Sequence, residues 1–269
     1  MLPRTYLFIP GDRPERFAKA MASGADAVIV DLEDAVAPAA KDRARSALSA
    51  WLGAGHGPVV VRINDAASSG FAADLAVAAH PGVTAIMLAK AERADDLGRV
   101  HAEAPQAALL PLIETAQGID RLRELASAAG VQRLVFGSID FQLDLGIDGD
   151  DDDDELLLFR SQIVLASRLA GLAAPVDGVS TAIDDAVAVG AATRRARRLG
   201  FGAKLCIHPR QLAAVQAGFA PGADELAWAE RVVAAAASAA GGAVAVDGRM
   251  VDRPVLLRAQ ALLARRPLI

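Results

Sequence analysis

The 269-residue chain has only one cysteine, Cys206, set among apolar residues. A single thiol excludes an internal disulfide and fits a reducing, cytoplasmic location. Long apolar runs are also missing. None approaches the roughly 18 residues needed to span a bilayer, so no membrane partner is expected. The opening Met1-Leu2-Pro3-Arg4-Thr5 passes straight into a strand-like run, without the regions of a signal peptide. There is no basic excess: the net charge is −5, which argues against nucleic acid as a partner. No G-x-G-x-x-G or Walker sequence follows any strand-like run, so a phosphate-cradling doubly wound sheet is not expected.

What is present is alternation. Short apolar, β-branched runs occur at 6–10, 27–32, 59–64, 85–90, 108–114, 134–140, 176–180 and 203–208, apolar on both faces as in covered parallel strands. Amphipathic segments separate them at 14–23, 41–52, 70–79, 94–102, 115–129, 155–170, 184–199 and 210–217. Eight strand–helix units in this length predict an α/β fold, a single (β/α)8 TIM barrel. Residues 1–220 are assigned to the barrel. Residues 221–269 read as an appendage: a helix at 225–239, a hairpin turning at Asp247-Gly248, and a helix at 254–264. The tail is too short for a core of its own. Two charged runs, Asp150 to Asp154 and Thr193 to Arg198, read as solvated surface.

In such a barrel the chemistry gathers at the C-terminal ends of the strands. Seven of the eight runs end on polar residues: Asp12; Asp31, Glu33 and Asp34; Arg62 and Asn64; Lys90 and Glu92; Glu114 and Thr115; Asp140; and His208. Glu33, Asp34, Glu114 and Asp140 converging on one pocket repel unless a cation joins them. An all-oxygen set suits Mg²⁺ better than Zn²⁺. Arg62 and Lys90 are available for anionic substrate groups. Structural roles compete with these readings. Taken alone, Asp12 and Thr115 read equally well as helix caps, and Asp34 is also a candidate cap. His208 before Pro209 reads as structural, Asp144 as a loop-fixing residue, and Cys206 as packing.

These residues stand in runs that resemble the HpcH/HpaI aldolase–citrate lyase β-subunit superfamily, in particular its citrate lyase β-like branch. The runs are Arg4 to Asp12, Gly24 to Val36 with Lys41 and Ala44-Arg45, Val61-Arg62-Ile63-Asn64, Leu112-Ile113-Glu114-Thr115, Phe136 to Asp140, Ile207-His208-Pro209 and Val246 to Pro254. The resemblance implies a TIM barrel, Mg²⁺, CoA-thioester or acyl-carrier-protein substrates, and a homo-oligomer, trimeric or hexameric. It implies Glu114 and Asp140 as direct metal ligands and Glu33 and Asp34 as holders of the metal's waters. Arg62 would contact substrate, with Lys90 and Asp12 as further substrate contacts. Asp252 would serve as acid/base in a neighbouring protomer's site. Gln142 departs from the pattern, since many relatives carry a smaller residue there, and this leaves substrate identity open. The implied activity is reversible cleavage of a 3-hydroxyacyl-CoA, of citramalyl-CoA or malyl-CoA type, to acetyl-CoA and a 2-oxo acid. The rivals are the β subunit of a citrate lyase complex, a malyl-CoA thioesterase, and a non-catalytic CoA-binding or scaffold protein.

Overall fold

The eight apolar runs become eight parallel strands that close on themselves in the computed structural model, which describes residues 2–149, 154–238 and 244–265. They are β1 (Thr5–Pro10), β2 (Ala27–Asp31), β3 (Val59–Ile63), β4 (Val83–Leu88), β5 (Ala108–Ile113), β6 (Val135–Phe136), β7 (Val176–Asp177) and β8 (Ala203–Cys206). Each pairs with its sequence neighbour, and β8 returns to β1 through Thr5↔Lys204, Tyr6↔Leu205 and Leu7↔Cys206. The expected (β/α)8 barrel is the fold.

Alternation sorts the side chains. Tyr6, Ile29, Val60, Met87, Leu110, Leu112, Val135, Val176 and Leu205 fill the interior as one buried cluster. The barrel is therefore a packed core, not a pore. Outward-facing residues meet the helices: α1 (Phe17–Met21), α2 (Lys41–Gly53), α3 (Phe71–Ala78), α4 (Ala94–Glu103), α5 (Ala116–Asp120), α6 (Leu122–Ala126), α7 (Ser138–Leu145), α8 (Leu157–Leu169), α9 (Ala186–Leu199) and α10 (Leu212–Phe219). Phe17, Leu48, Leu52, Phe71, Leu75, Leu97, Val100, Leu125 and Ile163 are the buried ridges of that layer.

Three local readings need correction. The run at 134–140 is not all strand: β6 ends at Phe136, and α7 begins at Ser138. Asp140 therefore sits in the first turn of a helix rather than on a strand, where the partial positive charge of exposed N–H groups favours a carboxylate. The segment 115–129 is two short helices, interrupted at Arg121, whose φ of −100° and ψ of 16° leave the helical region. The basic run on α9 is not uniformly solvated. Thr193 and Ala196 face the core and Arg194 and Arg198 face water, because the helical period splits the run. Of the acidic run, residues 150–153 lie outside the described residues, and Asp154 opens a short 3₁₀ turn.

Chain contacts divide into two compact units, Met1–Gln216 and Ala217–Ile269. The second unit comprises α11 (Ala223–Ser238), an antiparallel hairpin of β9 (Val244–Val246) and β10 (Arg249–Val251), and α12 (Arg253–Leu263). Asp247 and Gly248 both have positive φ, 52° and 74°, the backbone that a two-residue hairpin turn requires. The tail was expected to lack a core, but Ala229, Val232, Val251 and Ala259 are buried together, with Trp228, Val255 and Leu262 packed against them. Small alanines let α11 and α12 approach closely enough to bury that cluster. No helix among the described residues is long and apolar enough to cross a membrane.

Candidate active site

At the C-terminal rim of the barrel lies a pocket of about 350 Å³. Its lining is polar at Asp31, Asp34, Arg62, Glu114 and Asp140 and apolar at Phe8, Leu112, Phe136, Val179, Leu205 and Ile207.

The polar lining is built around Arg62, buried at the end of β3. Its Nε and Nη2 donate to the two oxygens of Asp31 at 2.7 and 2.6 Å. Its Nη1 reaches Glu33 at 3.1 Å and Asp34 at 3.6 Å, and the guanidinium lies over the Phe8 ring, 4.9 Å from its centre. Burial opposes the Arg62 charge, but Asp31, Glu33 and Glu114 more than offset it, and the pKa stands above its ordinary value. Asp31 was noted at a strand end without a role. It is fully buried and also accepts from the Glu33 and Ala35 amides, so it fixes both the arginine and the loop after β2. Its signal in the sequence was a carboxylate at an otherwise apolar, inward-facing strand position, which is rare without a buried cation.

The same loop is pinned from outside. Lys41 Nζ donates to the Leu32 and Glu33 carbonyls and to Asn64 Oδ1, each at 2.8 Å. Asn64 Nδ2 bonds Asp74, and Asp74 accepts from Arg45 at 2.7 Å.

Glu114 follows β5 and is 1% exposed. One oxygen accepts from the Lys90 main-chain N–H at 2.7 Å, and the other is buried with no hydrogen-bond partner among the described residues. Burial, then the nearby Asp140, push the Glu114 pKa up to about 8 from an ordinary 4.5, against the opposing pull of the Lys90 amide and Arg62. An orphaned, desolvated carboxylate oxygen beside a second carboxylate is the environment that a hard cation relieves. Among the described residues no group of three or more His, Cys, Asp or Glu gathers as a metal cluster. Mg²⁺ does not need one, since it takes one or two carboxylates and keeps waters. The residues present therefore fit it.

The native state holds a proton on Glu114 between pH 4.5 and about 8 that the unfolded chain releases. Metal-free stability is therefore lost as pH rises through that window. We expect chelator-treated protein to lose on the order of 2 kcal/mol relative to Glu114→Gln between pH 6 and 8. Denaturant titrations at both values measure it. Parallel profiles for the two proteins would refute the buried titration.

Of the other predicted residues, Lys90 pairs with Glu33 at 3.2 Å and keeps 39% of its side chain exposed. Asp12 caps no helix. The turn after it begins at Arg13 without a side-chain cap, and Asp12 pairs with Arg43 at 3.0 Å. Asp34 caps none either, being drawn to Arg62. Thr115 does cap, accepting from Gly118 N–H while donating to Glu92. His208 Nδ1 accepts from the Arg210 amide in a reciprocal cap with Gln211. Asp144 anchors Ala116 N–H at 2.7 Å. Cys206 is buried, its thiol pushed up to about 12 by that burial. Gln142 is not among the residues lining the pocket. Asp252 accepts from Val255 N–H as the cap of α12 and is exposed.

Fold and rim together define a (β/α)8 barrel with a paired-carboxylate, arginine-backed pocket. The HpcH/HpaI aldolase/citrate lyase signature matches residues 4–209, and the chain belongs to that family. A citrate lyase subunit beta-like protein of Deinococcus radiodurans is 38% identical, with 98% of this chain and 97% of the relative covered. A (3S)-malyl-CoA thioesterase of Cereibacter sphaeroides is 35% identical, covering 97% and 94%. Among solved structures, CitE of Mycobacterium tuberculosis in complex with magnesium, acetoacetate and coenzyme A has a TM-score of 0.89 and 39% identity, covering 98% and 97%.

Proposed function

We propose that the chain is a Mg²⁺-dependent carbon–carbon lyase that cleaves a 3-hydroxyacyl-CoA to acetyl-CoA and a 2-oxo acid, citramalyl-CoA first and malyl-CoA next. The observation that carries the reading is the bare Glu114 oxygen near Asp140, in a pocket that also holds Arg62 and an apolar lining. The complex of the M. tuberculosis relative with magnesium, acetoacetate and coenzyme A supports it.

Glu114 and Asp140 hold the cation, with Glu33 and Asp34 ordering its waters. When bound, Mg²⁺ polarises the hydroxyl and carboxylate end of the substrate and favours loss of the hydroxyl proton. Asp34, half-exposed at the pocket, receives that proton. As the bond between carbons 2 and 3 breaks, its electrons move onto the thioester oxygen. Arg62, immobilised by Asp31, meets the developing charge without reorganising. Asp252 of a neighbouring copy, in a trimer or hexamer, protonates carbon 2. Lys90 and Asp12 are the further substrate contacts. The apolar wall accommodates the small acyl part.

A second reading, thioester hydrolysis, is favoured by the 35% identical thioesterase. It uses the same carboxylates and arginine to deliver water to the thioester carbon. Assays with citramalyl-CoA, malyl-CoA and a citryl-acyl carrier protein, with and without Mg²⁺, separate the readings. Free thiol together with a 2-oxo acid would mark lyase action followed by hydrolysis, and free thiol with intact hydroxy acid a thioesterase. A 2-oxo acid with acetyl-CoA marks the lyase. Turnover of the carrier-bound substrate alone would point to the citrate lyase complex. No turnover of any, at any Mg²⁺ concentration, would leave a binding protein.

A further inference from the structure

Lys90 is one of two non-glycine residues with positive φ among the described residues, at 46°. The other, Asp247, is in a hairpin turn that calls for it. A left-handed backbone costs most residues on the order of 1–2 kcal/mol, and such strain persists only where the surroundings enforce it. Here they do. The Ala89 N–H donates to Ile63 O of β3 at 3.3 Å, and the Ala91 N–H to Leu112 O of β5 at 3.1 Å. With its flanks tied to the strands on either side, the turn throws the Lys90 N–H onto Glu114 Oε1 at 2.7 Å.

The other face of Glu114 is bounded by Gly137. A Cβ there would stand 2.6 Å from both the Glu114 Cβ and Oε2. Glu114 is thus held at one oxygen by a main-chain donor and left room at the other by a missing side chain. Oε2 stays buried and unpartnered.

We propose that Lys90 is a positioning residue for Glu114 and acts through its main chain. Its left-handed turn fixes which carboxylate oxygen is bare for a divalent cation, and Gly137 keeps that oxygen's space open. This rests on the metal reading above and adds to it how the ligand is aimed. The ammonium is not what does the aiming, since it points to Glu33.

Calorimetric titration of the full-length protein with MgCl₂ tests this in Lys90→Gly, Lys90→Asn and Lys90→Val. All three lose the ammonium equally, but tolerance of positive φ falls from Gly through Asn to Val. Gly and Asn are expected to bind Mg²⁺ at least as well as the unaltered protein, and Val about tenfold more weakly. Gly137→Ala, which keeps Lys90, is expected to weaken binding from the opposite side and guards against a Val variant that fails to fold. Equal affinity in Gly, Asn and Val, or unchanged affinity in Gly137→Ala, would overturn the proposal and leave the metal site standing. Uniform weakening in all three Lys90 variants would assign the effect to the ammonium and overturn it too. An unaltered protein that takes up no Mg²⁺ would end the metal reading, and this proposal with it.

Discussion

Asp140→Asn is expected to lose Mg²⁺-dependent turnover by on the order of 10³-fold or more while melting within a few degrees of the unaltered protein. The side chain sits in the first turn of α7, partly exposed, and among the described residues no other side chain is hydrogen-bonded to it. The fold therefore asks little of its charge, and helix-terminus electrostatics contribute only about 0.3–1 kcal/mol. The chemistry asks much more. Under the proposed mechanism the cation would be left with one protein carboxylate instead of two, and that one, Glu114, is the buried one, whose ionisation burial opposes. Turnover with Mg²⁺ titrated to saturation, measured beside a thermal melt, separates the two effects. Near-normal turnover at saturating metal would remove Asp140 from the ligand set.

The second large effect concerns Asp252. Asp252→Ala alone and Asp140→Asn alone are each expected to be nearly inactive. Mixed at equal amounts and reassembled, they are expected to recover on the order of a quarter of full activity, because in the proposed ring that fraction of sites would draw both intact residues from different chains. Arg62→Ala is a poor partner for this experiment. It would strand the fully buried Asp31 carboxylate, at a cost of about 3–5 kcal/mol. The competing role is visible in the fold: Asp252 caps α12 through Val255. Loss of an exposed cap costs about 1 kcal/mol, with turnover untouched and mixing irrelevant. An active Asp252→Ala protein would reduce the residue to that cap.

The barrel was legible because a parallel strand covered on both faces leaves an apolar run, and eight such runs with helical periods between them admit few closures. Arg62, Glu114, Asp34 and Asp140 were legible as polar residues at the ends of those runs, and the structure brings them to one pocket. Three things were not legible. Helix α7 hid inside an apolar run, since Phe136 and Phe141 are buried in strand and helix alike and hydrophobicity does not distinguish them. The partner of Asp31 was hidden, because a two-point ion pair is made by residues 31 positions apart. The turn at Lys90 left no trace, for nothing in a lysine announces positive φ. It is imposed by hydrogen bonds to β3 and β5 that exist only once those strands flank β4.

The pocket's charged and apolar groups come mostly from different strand ends, meeting at β5 and at the junction of β6 and α7. The charged groups belong to β2, β3, the residue after β5 and the start of α7. The apolar wall belongs mainly to β1, β6, β8 and the residues that follow β7 and β8. Reactivity and shape are therefore heritable separately. Lineages descended from such a barrel are free to enlarge or shrink the wall at Val179, Leu205 or Ile207, trading about 1–3 kcal/mol of discrimination per methylene, without removing a partner of Arg62. A scaffold partitioned in this way diversifies in what it accepts long before it changes what it does.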